Sequence, residues 1–414
     1  MFNRVPGTKD ILPEQAELWQ NIEGTSRKIF SLHNYREIRP PLIEDAALFN
    51  RSLGESTEIV QKQMFVIKRE EDLYALRPEG TASVVRAYVE NNLDKTCGFV
   101  KFYYMGPMFR AERPQKGRLR QFHHIGVETI GSTEPEIDVE VIALADTLLK
   151  AYSIKGYRIL VNTLGCAEDK IKLSSFLRDK LQSRLSELCP DCQARFGKNV
   201  FRILDCKNDA CQKIVNGINI NNSHLCPDCL KHFESVKAGL DLLGVSYEVS
   251  PKLVRGLDYY TRTVFEFKHE QLGLQQDALG AGGRYDGLVR ELGGPQAGAV
   301  GFAFGVERLL LASQAAVPEG SGKKLVYLIT LGEAARKQGI SLLARLRSAG
   351  ISSDTDYSNR SIKAAMRKAN DLGARYVLIL GDDELKENSV MAKDMQAGTQ
   401  EKISLDKIEE KLKC

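Results

Sequence analysis

Basic side chains are concentrated in one short segment. Residues 110–120 read RAERPQKGRLR, with five basic residues and one acid in eleven positions, between the strand-like runs FVKFYY and HHIGVE. A loop held between two paired strands can fold over a polyphosphate, because guanidinium groups bind phosphate oxygens in pairs. A solvated hairpin tip explains the same composition. The segment therefore indicates either a phosphate-binding loop or an ordinary surface turn.

Three more arginines lie far from this loop in the sequence. They are Arg255 in LVRGLDYY, Arg284 in GAGGRYDGL and Arg308 in GFAFGVERLL. Arg308 follows a glycine-rich strand and begins an apolar helix, a place from which its head group can reach a cleft. Each of the three, taken singly, is equally well read as a surface or salt-bridge arginine.

Acidic, hydroxyl and phenolic groups complete the polar candidates, which are Glu79, Thr81, Glu128, Tyr259 and Tyr260. A carboxylate accepts a hydrogen bond from an ammonium or imidazole N–H, and a tyrosine hydroxyl can donate or accept. These groups suit a small cationic or amphoteric ligand. The alternative is the ordinary polarity of a strand face.

Six of the nine cysteines fall between Cys189 and Cys229. Two identical CPDC segments supply Cys189 with Cys192 and Cys226 with Cys229, and 33 residues separate the two segments. Two CxxC pairs predict a structural zinc site with four thiolates, although the usual gap is about 15–20 residues. Cys206 and Cys211 are extra ligands or neutral thiols. Packed, reduced cysteines without a metal remain an equal alternative.

The elements that must position these groups fall into blocks. Residues 1–163 mix helical patterns with strand-like runs and predict an α+β domain, which residues 249–317 continue with 11 of the 34 glycines between Gly256 and Gly305. Residues 164–248 carry the cysteines and two charged helical stretches, 168–188 and 232–243, and predict an inserted helical module.

Residues 323–414 predict a separate α/β domain with a mainly parallel sheet, because apolar strands at 325–331 and 375–380 and a short strand at 351–357 alternate with helices at 333–349 and 361–372. A linker rich in Pro, Gly and Ser is expected at 318–324. The second helix is basic, with Arg360 just before it and Lys363, Arg367 and Lys368 within it.

Length and composition exclude several classes of protein. A chain of 414 residues predicts two to four domains, and 43% apolar with 27% charged residues is typical of globular proteins. The longest uncharged run, 292–306, is shorter than the roughly 20 residues of a membrane span, and the charged first twenty residues do not resemble a signal peptide. A cytosolic protein is expected. The net charge is only +4, and all of the excess lies in residues 323–414.

Order and spacing of the motifs favour one family. The chain resembles the histidyl-tRNA synthetases, which are class II aminoacyl-tRNA synthetases, over nearly its whole length. The opening VPGTKDILP is similar to their N-terminal signature, REIRPPLIED to class II motif 1, FYYMGPMFRAERPQKGRLRQFHHIGVE to motif 2 and GAVGFAFGVERLLL to motif 3. The histidine-specific segments are LVRGLDYYTRTVFEF and GAGGRYDGLV.

This resemblance implies a fold, a reaction and partners. The fold is an antiparallel class II catalytic sheet with a helical insertion that clamps the tRNA acceptor stem, followed by an α/β anticodon-binding domain. The reaction is ATP-dependent activation of L-histidine to histidyl-adenylate with Mg²⁺, then transfer to the 3′ end of tRNA(His). Motif 1, with Pro41, implies a homodimer.

The resemblance also implies roles for individual residues. Glu79 and Thr81, with Gly80 between them, would receive the α-amino group of histidine, and Glu128 and Tyr260 would bind the imidazole, with Tyr259 beside them. Arg110 would contact the α-phosphate and the substrate carboxylate, with Arg255 on the opposite face. Glu112 and Phe122 would hold the adenine, and Arg308 the γ-phosphate.

One position departs from the family pattern. The family usually has Gln where this chain has His124, in the sequence QFHH. A neutral imidazole nitrogen cannot replace the donor and the acceptor of an amide together. His124 is still expected to contact the substrate, whereas His123 is expected to pack within the strand.

Two other classes of function compete. The non-catalytic paralogue that regulates the phosphoribosyltransferase of histidine biosynthesis typically lacks the C-terminal domain and loses catalytic arginines, but Arg110, Arg255 and Arg308 are all present here. A zinc-stabilised nucleic-acid module would explain the cysteines but not LVRGLDYY or GAGGRYDGL. The sequence therefore favours the synthetase.

Overall fold

The chain forms two compact units, residues 1–315 and 316–414. The computed structural model describes residues 2–54, 57–113, 117–273, 277–313, 324–358 and 360–412. The predicted linker, apart from Lys324, lies outside the described residues. No helix among the described residues is long and apolar enough to cross a membrane.

Eleven strands lie among the described residues of the first unit. They are β1 Arg36–Glu37, β2 Ile43–Asp45, β3 Phe65–Arg69, β4 Asp72–Leu76, β5 Val100–Phe109, β6 Gln121–Ile130, β7 Tyr157–Thr163, β8 Glu248–Val249, β9 Thr261–His269, β10 Ala278–Arg284 and β11 Ala299–Gly305.

The helices of this unit are α1 Pro13–Leu32, α2 Ala46–Leu53, α3 Thr81–Glu90, α4 Leu93–Thr96, α5 Pro135–Ala151, α6 Ala167–Gln182, α7 Pro190–Lys198, α8 Phe201–Leu204, α9 Asp209–Asn216, α10 Pro227–Leu242, α11 Leu288–Glu291 and α12 Val306–Ala312. Single turns of 3₁₀-helix lie at Leu185–Glu187, Asn222–His224 and Glu270–Leu272, and a π-helical turn lies at Ile59–Gln63.

Eight of the strands form one sheet in the order β1-β5-β6-β11-β10-β9-β7-β8. The six inner strands pair antiparallel, and the short edge strands β1 and β8 pair parallel with β5 and β7. The basic segment at 110–120 joins β5 to β6, which pair in register from Val100 opposite Ile130 to Phe109 opposite Gln121. The hairpin expected from the sequence is therefore present, and each of its strands extends further than predicted.

The two faces of this sheet have different roles because successive side chains of a strand point to opposite sides. On one face Ile125, Val127, Phe265 and Phe267 pack in a core that also contains residues of α1, α5 and α10. Pro at the first turn of α5 and of α10 begins each of these helices, where its missing N–H costs nothing. The helices close this face and leave the other free for a ligand.

The helices between residues 164 and 248 belong to the first unit. Leu173 of α6 and Cys211 of α9 share a buried core with Tyr260 and Val264 beside the sheet. The two predicted helical stretches correspond to α6, which ends earlier at Gln182, and α10, which begins earlier at Pro227. The short helices α7, α8 and α9 lie between them. The predicted limits of an inserted module stay a prediction.

The second unit has its own five-stranded sheet in the order β13-β12-β14-β15-β16. Its elements are β12 Val326–Thr330, α13 Glu333–Ser348, β13 Ser353–Thr355, α14 Ile362–Asp371, β14 Tyr376–Leu380, α15 Asp382–Lys386, β15 Ser389–Asp394, β16 Gln400–Ser404 and α16 Ile408–Leu412. The first three strands are parallel, as expected, but β15 and β16 add antiparallel pairs, so the sheet is mixed. Their polar sequences, SVMAKD and QEKIS, lack the apolar run that marked the other strands.

Candidate active site

A cavity of about 700 Å³ lies on the open face of the large sheet. The predicted site residues that line it are Glu79, Thr81, Arg110, Glu112, Phe122, His124, Arg255, Tyr259, Tyr260 and Arg308. These side chains come from the connection after β5, from β6, from the loop before β9 and from the starts of α3 and α12. Residues remote in sequence therefore meet at one place. Gly80 and Glu128 lie behind this lining, next to Thr81.

The floor of the cavity consists of residues with almost no side chain. Ala281 of β10 lies opposite Ala303 of β11, and Gly301 and Gly305 occupy the alternate positions of β11 on the same face. An added Cβ at Gly301 would overlap the Glu128 carboxylate. Small residues on two central strands therefore create the space that the neighbouring polar side chains surround.

Glu79 is fixed at the beginning of α3. Its Oε2 accepts a hydrogen bond from the Thr81 amide at 2.7 Å, and its Oε1 accepts one from the Ala82 amide at 2.8 Å. A helix N-terminus favours an anion because its first amides have no partner within the helix. Burial raises the pKa of Glu79, and these two amides oppose that shift. The structure thus holds a carboxylate rigidly beside the cavity.

Glu128 lies in the interior of β6, behind Thr81. Its Oε1 accepts a hydrogen bond of 2.6 Å from the Thr81 hydroxyl, and its Oε2 is hydrogen-bonded to the Tyr285 hydroxyl. Burial raises the pKa of Glu128 to about 8 from an ordinary 4.5. The carboxyl group is therefore neutral over much of the physiological range when the site contains no cation.

Tyr259 and Tyr260 enter the cavity from the loop before β9. Their rings contact each other at a centroid distance of 4.6 Å, and Tyr259 also meets the edge of Tyr285. Lys170 of α6 donates to the carbonyl oxygens of Asp258 and Tyr260, at 3.1 and 2.9 Å, and so anchors this loop. Burial raises the pKa of both tyrosines, which keeps their hydroxyl groups protonated.

His124 lies on the cavity face of β6, with its ring 5.1 Å from that of Phe122. Its Nδ1 is buried and has no hydrogen-bond partner among the described residues. Burial, followed by the nearby charges of Arg110 and Arg308, holds the pKa of His124 well below its ordinary value. A neutral ring with an unsatisfied nitrogen remains available to a bound ligand.

His123 points the other way, as the strand alternation requires. Its backbone amide donates to the Glu307 carboxylate, its Nδ1 lies 3.0 Å from the same group, and Trp19 contacts its ring edge-on at 4.7 Å. The expectation that His123 packs within the structure fits this position.

Arg110 begins the connection after β5. Its Nε donates to the carbonyl oxygen of Pro78 at 2.9 Å, and its guanidinium lies 5.2 Å from the centre of the Phe122 ring. Glu112 lies between two arginines, 3.9 Å from Arg110 and 3.0 Å from Arg118. An aromatic face and a guanidinium plane in contact form a surface suited to a planar base.

Arg308, at the start of α12, adds another cation to the same region. Its guanidinium donates to the carbonyl oxygens of Gly117 and Ala278, at 3.3 and 2.6 Å. Burial, followed by the charges of Arg118 and Arg110, lowers the pKa of Arg308. Three guanidinium groups that repel one another in a cavity make a strong site for a polyanion.

Arg255 approaches the cavity from the loop before β9. Its Nη1 donates to Glu266 at 2.7 Å, while its Nε is buried with no hydrogen-bond partner among the described residues. Although burial alone would lower it, the pKa of Arg255 is raised by Glu266. The group is therefore charged and fixed in orientation, and it keeps one donor for a ligand.

Arg284 does not belong to this group. Its guanidinium is fully buried on the helix side of the sheet, where it pairs with Asp138 and Asp286 and donates to the carbonyl oxygens of Ser132 and Glu134. Of the two readings open at the sequence level, the salt-bridge arginine is the one that the structure supports.

Several lining residues were not singled out from the sequence. They are Tyr104, Arg118, Arg202, Glu266, Lys268 and Tyr285. Arg118 lies in the basic segment, which is its signal in the sequence. Glu266 and Lys268 alternate with buried phenylalanines along β9, so strand periodicity is the signal for these two. Arg202, on the short helix α8, had no such signal.

The predicted four-thiolate grouping of the two CPDC segments is wrong. The structure places Cys189 and Cys192 together with Cys206 and Cys211, while Cys226 and Cys229 lie with Cys166 and Asp169 in a second cluster. Each CPDC begins a helix, with its first cysteine just before α7 or α10, rather than forming an isolated turn. The starts of α7 and α10 lie apart in the fold, so the cysteines of the two CPDC segments contact different partners.

Comparison with known proteins agrees with the fold. The histidyl-tRNA synthetase family model matches residues 7–309, and an anticodon-binding domain model matches residues 325–414. A histidine–tRNA ligase of Halothermothrix orenii is 45% identical over 98% of this chain and 97% of its own, and one of Pelotomaculum thermopropionicum is 46% identical over 98% and 96%. The crystal structure of apo S. aureus histidyl-tRNA synthetase is 34% identical, with a TM-score of 0.83 over the full length of both chains.

Proposed function

Because this chain belongs to the histidyl-tRNA synthetase family, we propose that its cavity activates L-histidine with ATP and then transfers it to tRNA(His). The enzyme class is aminoacyl-tRNA ligase, as full-length similarity to histidine–tRNA ligases requires. Presence of the anticodon-binding segment at 325–414 argues against the regulatory paralogue considered above.

The acidic end of the cavity would bind the amino acid. Glu79 and Thr81, held at the start of α3, would accept the ammonium group, with Gly80 allowing that turn to approach the Tyr104 ring. Binding of a cation nearby would favour the ionised form of Glu128. Glu128 and Tyr260 would then recognise the imidazole.

The other positions around the amino acid follow from the same arrangement. Tyr259 would close the imidazole pocket through its contact with Tyr260. His124 would offer its unsatisfied Nδ1 to a donor of the substrate, the role that an amide usually fills in the family.

The basic end would bind ATP. Glu112 and Phe122 would hold the adenine, and Arg308 would hold the γ-phosphate. Arg110 and Arg255 would contact the α-phosphate, where the new bond forms. The buried Nε of Arg255 supports this assignment because this guanidinium donor has no acceptor among the residues that the structure describes.

The chemistry needs positioning and charge stabilisation rather than a general base. The histidine carboxylate is already ionised and attacks the α-phosphorus in line, pyrophosphate leaves, and histidyl-adenylate forms. Negative charge grows on the equatorial oxygens, where the fixed guanidinium groups of Arg110 and Arg255 stabilise it without reorganising. In the second step the terminal ribose hydroxyl of the tRNA attacks the activated carbonyl and AMP leaves.

Mg²⁺ would accompany the triphosphate. The cavity contains Glu58 and Asp205, whose carboxylate oxygens are the ligand type that Mg²⁺ prefers alongside phosphate oxygens. The ion would neutralise charge on the leaving pyrophosphate. These residues fit such an ion.

The remaining partners rest on the same family relationship. The 316–414 unit would bind the anticodon stem, and the exposed basic residues of α14, Lys363, Arg367 and Lys368, would contact phosphates. The helices between 164 and 248 would clamp the acceptor stem. The protein would work in the cytoplasm, which suits the free state of the described cysteines.

A homodimer would form through motif 1. The antiparallel sheet β2-β4-β3 exposes the apolar side chains Leu42, Ile43, Val66, Ile67 and Leu73 next to that segment. Ile43 and Ile67 lie on one face of this sheet and Val66 and Leu73 on the other, and exposed apolar side chains in this region support contact with another protein chain.

Convergence of the Glu79 carboxylate and the Arg255 guanidinium on one cavity carries the proposal. ATP–pyrophosphate exchange measured with each amino acid in turn tests it, and we expect exchange with histidine alone. Charging of tRNA(His) transcripts should follow. Background exchange with histidine, from protein shown to be folded, would refute the proposed activity.

A further inference from the structure

A cluster of four cysteines lies beside the cavity but takes no part in the proposed reaction. The sulfur atoms of Cys189, Cys192, Cys206 and Cys211 all lie within 4.8 Å of one another. Three of these side chains are buried, and Cys189 is half-buried. The cluster therefore joins the start of α7, the turn after α8 and the first part of α9.

The sulfur geometry fits a tetrahedral metal ion. Sulfur ligands about 2.3 Å from zinc lie about 3.8 Å from one another at the corners of a tetrahedron. The Sγ atoms of Cys189 and Cys206 are 3.8 Å apart. A disulfide bond would need about 2.05 Å, and the described cysteines are free.

Backbone amides point at two of the sulfurs. The amide of Cys189 donates to the Cys211 sulfur at 3.2 Å, and the amide of Asn208 donates to the Cys206 sulfur at 3.4 Å. A thiolate accepts such bonds far better than a neutral thiol, and amides of this kind orient metal-bound ligands.

The second cluster has a different explanation. Asp169 is fully buried there, and its carboxylate accepts the amides of Cys226 at 3.0 Å and of Cys166 at 3.4 Å. It thereby joins the starts of α6 and α10 through protein contacts alone. No ion is needed to account for the position of Cys226 or Cys229.

We propose that Cys189, Cys192, Cys206 and Cys211 bind one structural Zn²⁺ ion that fixes α7, α8 and α9 against the wall of the cavity. Helices of nine, four and eight residues are marginal alone, and a shared ion supplies the constraint that they lack. Arg202 and Asp205, next to Cys206, line the cavity, so the ion would also fix this part of its wall.

Metal content tests the proposal directly. We expect protein purified without added metal or chelator to contain about one zinc ion per chain, and the Cys206→Ser and Cys211→Ser variants to lose it. Cys229→Ser, the matched change in the other CPDC segment, should keep it. Wild-type protein without zinc, or unchanged zinc in Cys206→Ser, would overturn the assignment, and loss of zinc in Cys229→Ser would show that the second cluster binds metal instead.

A second measurement uses the wild-type chain and so does not depend on a variant that folds poorly. Alkylation of the native protein, read by peptide mass spectrometry, should spare the four cysteines of the cluster until a strong chelator is added. Exposed Cys97 should react equally under both conditions. Identical labelling of the cluster with and without chelator would mean packed thiols and would refute the site.

Discussion

The hydroxyl group of Thr81 donates a 2.6 Å hydrogen bond to the carboxylate of Glu128 and so links the start of α3 to the centre of the large sheet. Thr81 lines the cavity and Glu128 lies behind it. The binding of a ligand to Thr81 therefore depends on the protonation state of Glu128, in the interior of β6.

Glu128→Gln should change how stability depends on pH. With a pKa of about 8 in the folded state against 4.5 ordinarily, Glu128 costs no stability below pH 4.5, where it is protonated in both states. Between these values only the unfolded state loses the proton, so stability falls as pH rises, by at most about 1.4 kcal/mol per pH unit. The cost is complete above about pH 8. Urea unfolding at pH 5 to 8 should therefore show a shallower fall for Glu128→Gln than for the wild type.

The exposed Glu134→Gln variant is the control for that series, since it removes a carboxyl group that water already solvates. Parallel curves for wild type and Glu128→Gln would contradict a raised pKa at this position.

Arg255→Ala should reduce histidine-dependent ATP–pyrophosphate exchange by at least about 100-fold, because it removes a fixed charge from the developing transition state. Arg255→Lys should also be strongly impaired, since an ammonium group does not reproduce the planar guanidinium that pairs with Glu266. Steady-state exchange rates measure both effects, and gel filtration should show an unchanged oligomeric state. Arg158→Ala, which removes an exposed ion pair with Glu248, serves as the arginine control. Near-normal activation by Arg255→Ala would contradict its assigned role.

His124 offers a test of substrate recognition. We expect His124→Ala to raise the KM for histidine by roughly 2- to 10-fold, the value of one neutral hydrogen bond, with little change in kcat. His124→Gln should restore or improve the KM, because an amide provides a donor and an acceptor together. Exchange kinetics at varied histidine concentration distinguish these outcomes. An unaltered KM in the alanine variant would remove His124 from the set of substrate contacts.

The basic helix α14 should matter for tRNA and not for activation. Reversing the charge of Lys363 and Arg367 is expected to raise the KM for tRNA(His) several-fold. The salt dependence of this KM should weaken, because a complex with fewer phosphate contacts releases fewer counterions when it forms. Exchange without tRNA should stay at the wild-type rate. Lys337→Glu on α13 is the matched control, and an equal effect of that change would argue for a general loss of positive charge.

Much of the large sheet was predictable because its signals are local. The β5–β6 hairpin is marked by two apolar runs around a basic turn, and α5 by apolar residues at helical spacing after a proline. These features depend on neighbours a few residues away.

What could not be predicted depends on distant partners. Arg284 and Arg255 look alike in sequence, but Arg284 is neutralised by Asp138, which lies 146 residues away, whereas Arg255 lines the cavity and its Nε has no partner among the described residues. The two CPDC segments are identical, and only the fold decides that one meets Cys206 and Cys211 while the other meets Cys166 and Asp169. Tertiary contacts, rather than residue types, separate these cases.

The floor of small residues on β10 and β11 also bears on inhibition. A compound lying flat across Ala281, Gly301 and Ala303 would touch mainly backbone, which substitution cannot alter. A larger residue at any of these positions would displace the inhibitor, but it would occupy the space of the natural ligands as well. Resistance at this floor would therefore carry a loss of activity.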